Sequence, residues 1–343
     1  MKHLGTLLTS CTLLACSQQA MGKIVAWYNF EETSGRITAD SALNGKDASV
    51  GSQLDLDVPG VNNGSGASYT NKPGAVVLAP ELYTGNAARS ISLWFNAKAS
   101  LAKKNSRLLH SGSSGAAYLF DLTLENSTGG RSIGLRYGNG NMFWSGGNGG
   151  IALDSGFHHV VLTYDGTTLV ADSTVNVYID GVKATRTGGN NTNSGQVLKT
   201  GESTSFQDSV YLGRTQRAAV GRFTGVLDDV QVFDNALTQE DVSSLFTHPG
   251  ELLAGEIIPI LGDLNNSQTV DEADYLIWIK NYNKTGLGAS GGDLNRDGRV
   301  NAADFPILRQ AALDSSGVDL AAVPEPASMM LLALGGLLLS RRK

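Results

Sequence analysis

The chain has 343 residues, 42 of them glycine, with 41% apolar side chains and a formal charge of −6 at pH 7. That length allows one large domain and a small one, and that apolar share excludes a disordered chain. The acidic balance, with no dense Lys/Arg run in the body, excludes nucleic acid as a partner.

In chain order, the first element is an address. Lys2 and His3 precede an apolar run from Leu4 to Ala15, the pattern of a secretory signal peptide over residues 1–22. Ala20-Met21-Gly22 offers small residues to signal peptidase, which predicts Lys23 as the new first residue. Leu13-Leu14-Ala15-Cys16 resembles a lipobox and leaves lipidation of Cys16 open. Both cysteines, Cys11 and Cys16, fall in this leader, so cysteine chemistry is excluded from the mature chain.

From residue 23 to 253, short apolar runs alternate with Gly, Asn and Ser. Ile91, Leu93 and Phe95 fall on one face of an alternating segment. Val160 to Tyr164 ends at Asp165-Gly166, and Val175 to Ile179 ends at Asp180-Gly181. Asp-Gly between β-rich runs predicts tight hairpins, because those turns need positive φ. One helix is expected, capped by Thr238, with Val242, Leu245 and Phe246 as its apolar stripe.

Ile24-Val25-Ala26-Trp27-Tyr28 followed by Asp40-Ser41-Ala42-Leu43-Asn44-Gly45 resembles the opening of laminin-G-like, concanavalin A-like jellyroll domains. His158-His159-Val160 through Tyr164-Asp165-Gly166, Tyr211-Leu212-Gly213-Arg214 and Phe223 to Val230 are similar to their central and closing segments. The resemblance implies a mainly β fold, a concanavalin A-like β-sandwich jellyroll, which hosts lectins, adhesion modules and glycosidases alike. Trp94, Trp144, Tyr118 and Tyr137 are candidates for stacking on sugars. Trp144, close to glycines and Asn141, reads as a loop residue and is the ligand-binding candidate.

Catalysis is not expected. Hydrolases of the resembled family carry a Glu-x-Asp-x-x-Glu strand, which this chain lacks. Asp121 and Glu125 share a strand face at a spacing of roughly 13 Å, beyond the roughly 5–9.5 Å of glycosidase carboxylates. Asp228 and Asp229 are adjacent and are expected on opposite faces. His158 and His159 diverge in a strand, so they cannot chelate one metal. Gly146-Gly147-Asn148-Gly149-Gly150 lacks the lysine and helix of a phosphate loop.

After a linker at 254–261, residues 262–315 carry a duplicated loop. Asp263, Asn265, Ser267, Asp271 and Asp274 occupy positions 1, 3, 5, 9 and 12, with Thr269 at 7 for its carbonyl. Asp293, Asn295, Asp297, Asn301 and Asp304 repeat the set thirty residues later, with Arg299 at 7. A hard cation needs six or more oxygens, and alternate residues of a tight loop supply them, which predicts Ca2+. Gln268 stands where the loop needs positive φ and Ser267 is neutral where Asp297 is charged, so the second loop is expected to bind more tightly. Pro306 is expected to delay or kink the second helix. Each loop with one apolar helix resembles type I dockerin, a small α-helical EF-hand-type repeat, and implies a cohesin-like partner. Glu272-Ala273 and Ala302-Ala303 depart from the hydroxyl pairs of cellulosomal members and favour a spacer role equally.

Residues 316–343 end the chain with Val323-Pro324-Glu325-Pro326, an apolar helix of roughly 13 residues, about 20 Å long against a bilayer core of about 30 Å, and Arg341-Arg342-Lys343. This order resembles the PEP-CTERM sorting signal, which implies membrane attachment and then cleavage by an exosortase. The whole chain therefore reads as an exported, non-catalytic surface or matrix protein of a Gram-negative-type bacterium that binds carbohydrate. The alternatives are a polysaccharide-degrading enzyme on the same fold and a purely structural envelope protein.

Overall fold

The computed structural model describes residues 23–316 except 71, 73, 84–86, 99–104, 113–119, 128–129, 138–139, 146–150, 154, 167–173, 190–208, 216–220, 254–259 and 266. The leader, the sorting tail, Tyr118, the glycine-rich run 146–150 and most of the linker thus lie outside the described residues.

The chain opens with β1 (Ile24–Tyr28), β2 (Ile37–Thr38), β3 (Ala48–Val50), β4 (Asp55–Pro59), β5 (Ser65–Tyr69) and β6 (Val77–Ala79). Longer strands follow: β7 (Arg89–Ala97), β8 (Ser106–Ser111), β9 (Phe120–Ser127), β10 (Gly130–Tyr137), β11 (Gly140–Ser145) and β12 (His158–Tyr164). The series closes with β13 (Val175–Ile179), β14 (Val182–Lys183), β15 (Thr185–Gly188), β16 (Val210–Leu212) and β17 (Gly225–Phe233). An eight-stranded sheet runs β14-β13-β12-β7-β17-β5-β4, with β1 joined to β17; a nine-stranded sheet runs β15-β11-β10-β9-β8-β16-β6-β3-β2.

The two sheets pack into a sandwich because their strands alternate. Ile91, Leu93 and Phe95 of β7 face the inner layer, as the alternation predicts, and meet Leu122, Leu124, Ile133, Leu135 and Trp144 from the other sheet. Asp180 and Gly181, at φ 51° and 77°, make the two-residue turn between β13 and β14. Asp165-Gly166 does not close a tight hairpin: β12 and β13 pair, but the first main-chain bond beyond the strands runs from Asp165 N–H to Thr174 O.

The predicted helix forms as α1 (Gln239–Thr247). Thr238 caps it and Asp241 returns a bond to the cap. It lies on the outer face of the eight-stranded sheet, where Trp27, Val161, Tyr178, Val242 and Leu245 form a second apolar cluster. Trp94 stacks at 4.8 Å on His159 and at 5.7 Å on Phe246, and Tyr137 is buried in the main core. Neither ring is open to a sugar.

Trp144 is the main correction to the sequence reading. It lies within β11, 3% exposed, in the sandwich core. Gly140, Met142 and Trp144 point inward, so Asn141, Phe143 and Ser145 point outward. Gly140 opens the strand, and the glycine-rich run 146–150 lies outside the described residues.

Beyond the jellyroll, α2 (Glu272–Asn281) and α3 (Phe305–Ser316) enclose a third core of Val270, Tyr275, Trp278, Leu294, Val300, Phe305 and Leu308. Pro306 does not delay α3. The helix starts at Phe305, so Pro306 sits in the first turn, where its missing N–H has no helical partner to lose. Among the described residues no helix is long and apolar enough to cross a membrane. Trp144→Ala is expected to destabilise the jellyroll by about 3–5 kcal/mol, and Phe143→Ala by about 1 kcal/mol or less. Thermal unfolding of the two variants checks which residue is core.

Candidate functional site

The outer face of the nine-stranded sheet is polar by alternation. On β9, Leu122 and Leu124 go inward, which turns Asp121, Thr123 and Glu125 outward. Asp121 is fully buried; it accepts a bond from Arg107 Nε at 3.1 Å and is paired with His110 Nδ1. Glu125, 5% exposed, accepts from Thr123 Oγ1 at 2.8 Å. The two carboxylates expected on one face are there, and both are buried and engaged. His110 Nε2 is buried without a hydrogen-bond partner.

Apolar groups interrupt this face at Leu78 and Tyr211, which pair in register, and at Phe143. Phe143 is half-buried and pairs in register with Gly134 of β10 and Gly188 of β15. A Cβ built on Gly134 would stand 3.2 Å from Phe143 Cδ1, and one on Gly188 would stand 4.0 Å from Cδ2. With no side chain in either flanking position, the ring has a glycine on each side. Arg136 and Asn141 face each other one register step away, and Ser145 Oγ meets Thr187 Oγ1 at 3.2 Å. Sequence reasoning missed Phe143; the Met142/Trp144 parity on β11 is the signal that marks it.

Three arrangements imitate catalytic groups. Ser92 Oγ lies 2.8 Å from His159 Nε2, but both are buried beneath α1. Burial pushes the His159 imidazole down to about 3, so it stays neutral. His158 Nδ1 bonds Asp180 at 2.8 Å, and that carboxylate raises its pKa. The histidines diverge as expected and act as structural clips.

Asp228 and Asp229 overturn the opposite-face expectation. β17 bulges between Asp228 and Gln231, and Asp229 adopts φ 45°. Both residues therefore line one small cavity of about 140 Å³, with Asn29, Glu31 and Asn62. Their oxygens are already used. Asp228 accepts from the amides of Val61 and Asp229, and Asp229 accepts from Trp27 Nε1, Gln231 Nε2 and the Gly250 amide. Burial pushes the Asp228 carboxyl up to about 7.

The duplicated loops fold alike. The position 1 carboxylates of Asp263 and Asp293 receive the position 6 amides of Gln268 and Gly298. Asn265 and Asn295 receive the amides of Ser267 and Asp297. Asp274 and Asp304 reach back to the amides of Asn265 and Asn295, and also to those of Asp271 and Asn301. Asp271 caps α2 at Ala273, and Asn301 closes the turn before α3 at Ala303. Among the described residues no group of three His, Cys, Asp or Glu close enough to hold a metal ion is present, and the Thr269 carbonyl accepts from Ser267 Oγ; a cation would draw on Asn, Ser and main-chain oxygens besides the carboxylates.

The residues fit a calcium ion best in the second loop. Asp293 Oδ1 is buried with no hydrogen-bond partner, while both oxygens of Asp263 accept amides. Burial raises the Asp293 pKa and the neighbouring Asp304 and Asp297 charges raise it further, against the lowering effect of the Gly298 and Asp297 amides. Converging negative charge around an orphaned oxygen is what a hard cation relieves. Asp293, Asn295, Asp297, Asn301, Asp304 and the Arg299 carbonyl would hold it, and the bound ion would cross-link the loop. In the first loop Gln268 adopts φ 70°, as the sequence predicts, without glycine's tolerance of that region.

Fold and site define a two-sheet jellyroll followed by a calcium-loop helical repeat. The model of the concanavalin A-like lectin/glucanases superfamily matches residues 70–243, and the chain belongs to that superfamily. The dockerin type I domain matches residues 261–313 and the PEP-CTERM protein-sorting motif residues 322–343. The sorting motif and dockerin point to an exported, cell-surface-associated protein, and the dockerin supports Ca2+ as its ligand.

Among solved structures, the chain is similar to domain 4 of AbnA, a GH43 extracellular arabinanase from Geobacillus stearothermophilus, in complex with arabinotriose. Identity there is 18%, covering 65% of this chain and 98% of that one, with a TM-score of 0.48. It is also similar to Trypanosoma rangeli sialidase in complex with the inhibitor DANA, at 18% identity, 65% and 32% coverage and a TM-score of 0.44. The binding domain of Paraclostridial Mosquitocidal Protein 1 gives 13% identity, 65% and 52% coverage and a TM-score of 0.45. No curated protein matches the chain.

Two outcomes follow from these geometries. A carboxyl raised by folding adds stability that is present below its unfolded pKa and lost as pH rises through the folded one. Asp228 therefore erodes stability between pH values of about 4 and 7, from its ordinary value of 3.8 to about 7, while the depressed His159 acts in the opposite sense from 6.5 down to about 3. Asp228→Asn is expected to remove the first slope, so its stability relative to the parent rises with pH across that window; denaturant unfolding at stepped pH measures it. In the first loop, Gln268→Gly is expected to relieve about 1 kcal/mol of backbone strain. Calorimetric calcium titration should then show the weaker of two sites tightening and the stronger unchanged.

Proposed function

We propose that this is a non-catalytic carbohydrate-binding protein of the surface or extracellular matrix of a Gram-negative-type bacterium. The glycan lies on the outer face of the nine-stranded sheet, with one sugar ring on Phe143. The observation that carries this reading is the half-buried Phe143 ring between Gly134 and Gly188, with the polar side chains of Arg136, Asn141 and Ser145 near it on the same face. An apolar platform ringed by hydrogen-bonding groups matches a sugar, which has apolar C–H faces and a polar rim. Arg136, Asn141 and Ser145 supply groups for the rim.

A non-catalytic role is supported by the state of the carboxylates on this face. Asp121 is held by Arg107 and His110 and Glu125 by Thr123, both away from solvent. The dockerin-like repeat docks a cohesin-like protein or spaces the jellyroll from the envelope. The apolar tail holds the precursor in the membrane until an exosortase cleaves near Val323-Pro324-Glu325-Pro326, after signal peptidase has removed the leader.

Phe143→Ala is expected to weaken binding to a responding glycan about tenfold or more, while thermal stability falls by about 1 kcal/mol or less. A glycan array on the exported chain identifies the ligand, and titration of the variant measures the loss. Full affinity in Phe143→Ala would rule out this face.

A further inference from the structure

The second calcium loop touches the jellyroll. Arg296, its fourth residue, holds φ 59°, and its Nη1 donates to Oδ1 of Asp47. Asp47 is itself fixed, since the same oxygen accepts the Asp40 amide at 2.8 Å. Asp40 organises the intervening turn by accepting from the amides of Ala42, Asn44 and Lys46. Beside the ion pair the two backbones approach each other: a Cβ built on Gly288 would lie 3.8 Å from the Cα of Gly45.

We propose that this contact is a docking interface within the chain, tightened by calcium, in which the second loop grips the jellyroll through Asp47. The inference rests on the calcium reading of that loop. Arg296 stands in a loop that also carries the carboxylates of Asp293, Asp297 and Asp304, whose negative charge attracts its guanidinium when no cation offsets it. A divalent cation held by those oxygens cancels their pull and leaves Asp47 as the counter-charge. By linkage, whatever factor calcium adds to the contact, the contact adds to the calcium affinity of the second loop. Glu272-Ala273 and Ala302-Ala303 remain exposed, so a cohesin-like partner keeps its access while the two modules act as one body.

The test uses the full chain with Cys11→Ser and Cys16→Ser. Each side chain of the pair is 28% exposed, so the coupling is that of a partly solvated pair, about two- to fivefold in affinity. Asp47→Asn and Arg296→Gln are each expected to weaken calcium at the tighter site by that factor and to leave the weaker site unchanged. The double variant should lose no more than either single one. Additive losses, or no loss, overturn the coupling. Gly45→Cys with Gly288→Cys should form an intramolecular disulfide faster in calcium than in chelator, and Arg296→Gln should remove the difference. No disulfide in calcium overturns the interface itself; a second loop that binds no calcium, with the disulfide still formed, overturns the loop reading and the tightening while leaving the contact.

Discussion

The two-residue period of an extended strand, pressed between two sheets, is the constraint on which the jellyroll depends. Once Leu122 and Leu124 are committed to the core, Asp121, Thr123 and Glu125 have one place to go. The same rule commits Met142 and Trp144 to the core and puts Phe143 on the outer face. A single-residue shift of register on β11 would exchange the indole for the phenyl ring. The proposed binding position rests on packing: the ring offered to ligand is the one the core does not take.

Where the period breaks, function-like features collect and then dissolve into structure. The bulge in β17 turns Asp228 and Asp229 toward one cavity, where they tie together β1, the turn at Val61 and the segment at Gly250. Burying two carboxylates is tolerated because the amides and the indole N–H that point at them replace water. Ser92 and His159 resemble a nucleophile and base, yet α1 and Phe246 seal them from solvent.

Much of this was legible in the sequence, for stated physical reasons. The alternation of Ile91, Leu93 and Phe95, the Thr238 cap, the Asp180-Gly181 turn and the thirty-residue duplication all depend on local rules. Superfamily, dockerin and sorting motif matched the resemblances read from their residues. What failed depended on non-local facts. Glycines near Trp144 signalled a loop because nothing local reveals that β15 pairs there. The bulge at Asp229 needs β7 as its partner to exist. Pro306 was misjudged because the helix start lay at Phe305, directly before it. The Arg296–Asp47 pair spans 249 positions and has no sequence signal.

The two modules divide the work by different chemistry. The jellyroll is held by apolar burial between its sheets and beneath α1. The repeat has a small core around Trp278 and Phe305, and backbone amides organise its loop carboxylates. The central claim is the location of the glycan, and footprinting tests it most directly. A photoreactive derivative of an array-positive oligosaccharide, bound to the exported chain and mapped by peptide mass, should label residues 131–145. Labelling confined to other segments, or none above a competitor control, would contradict the account.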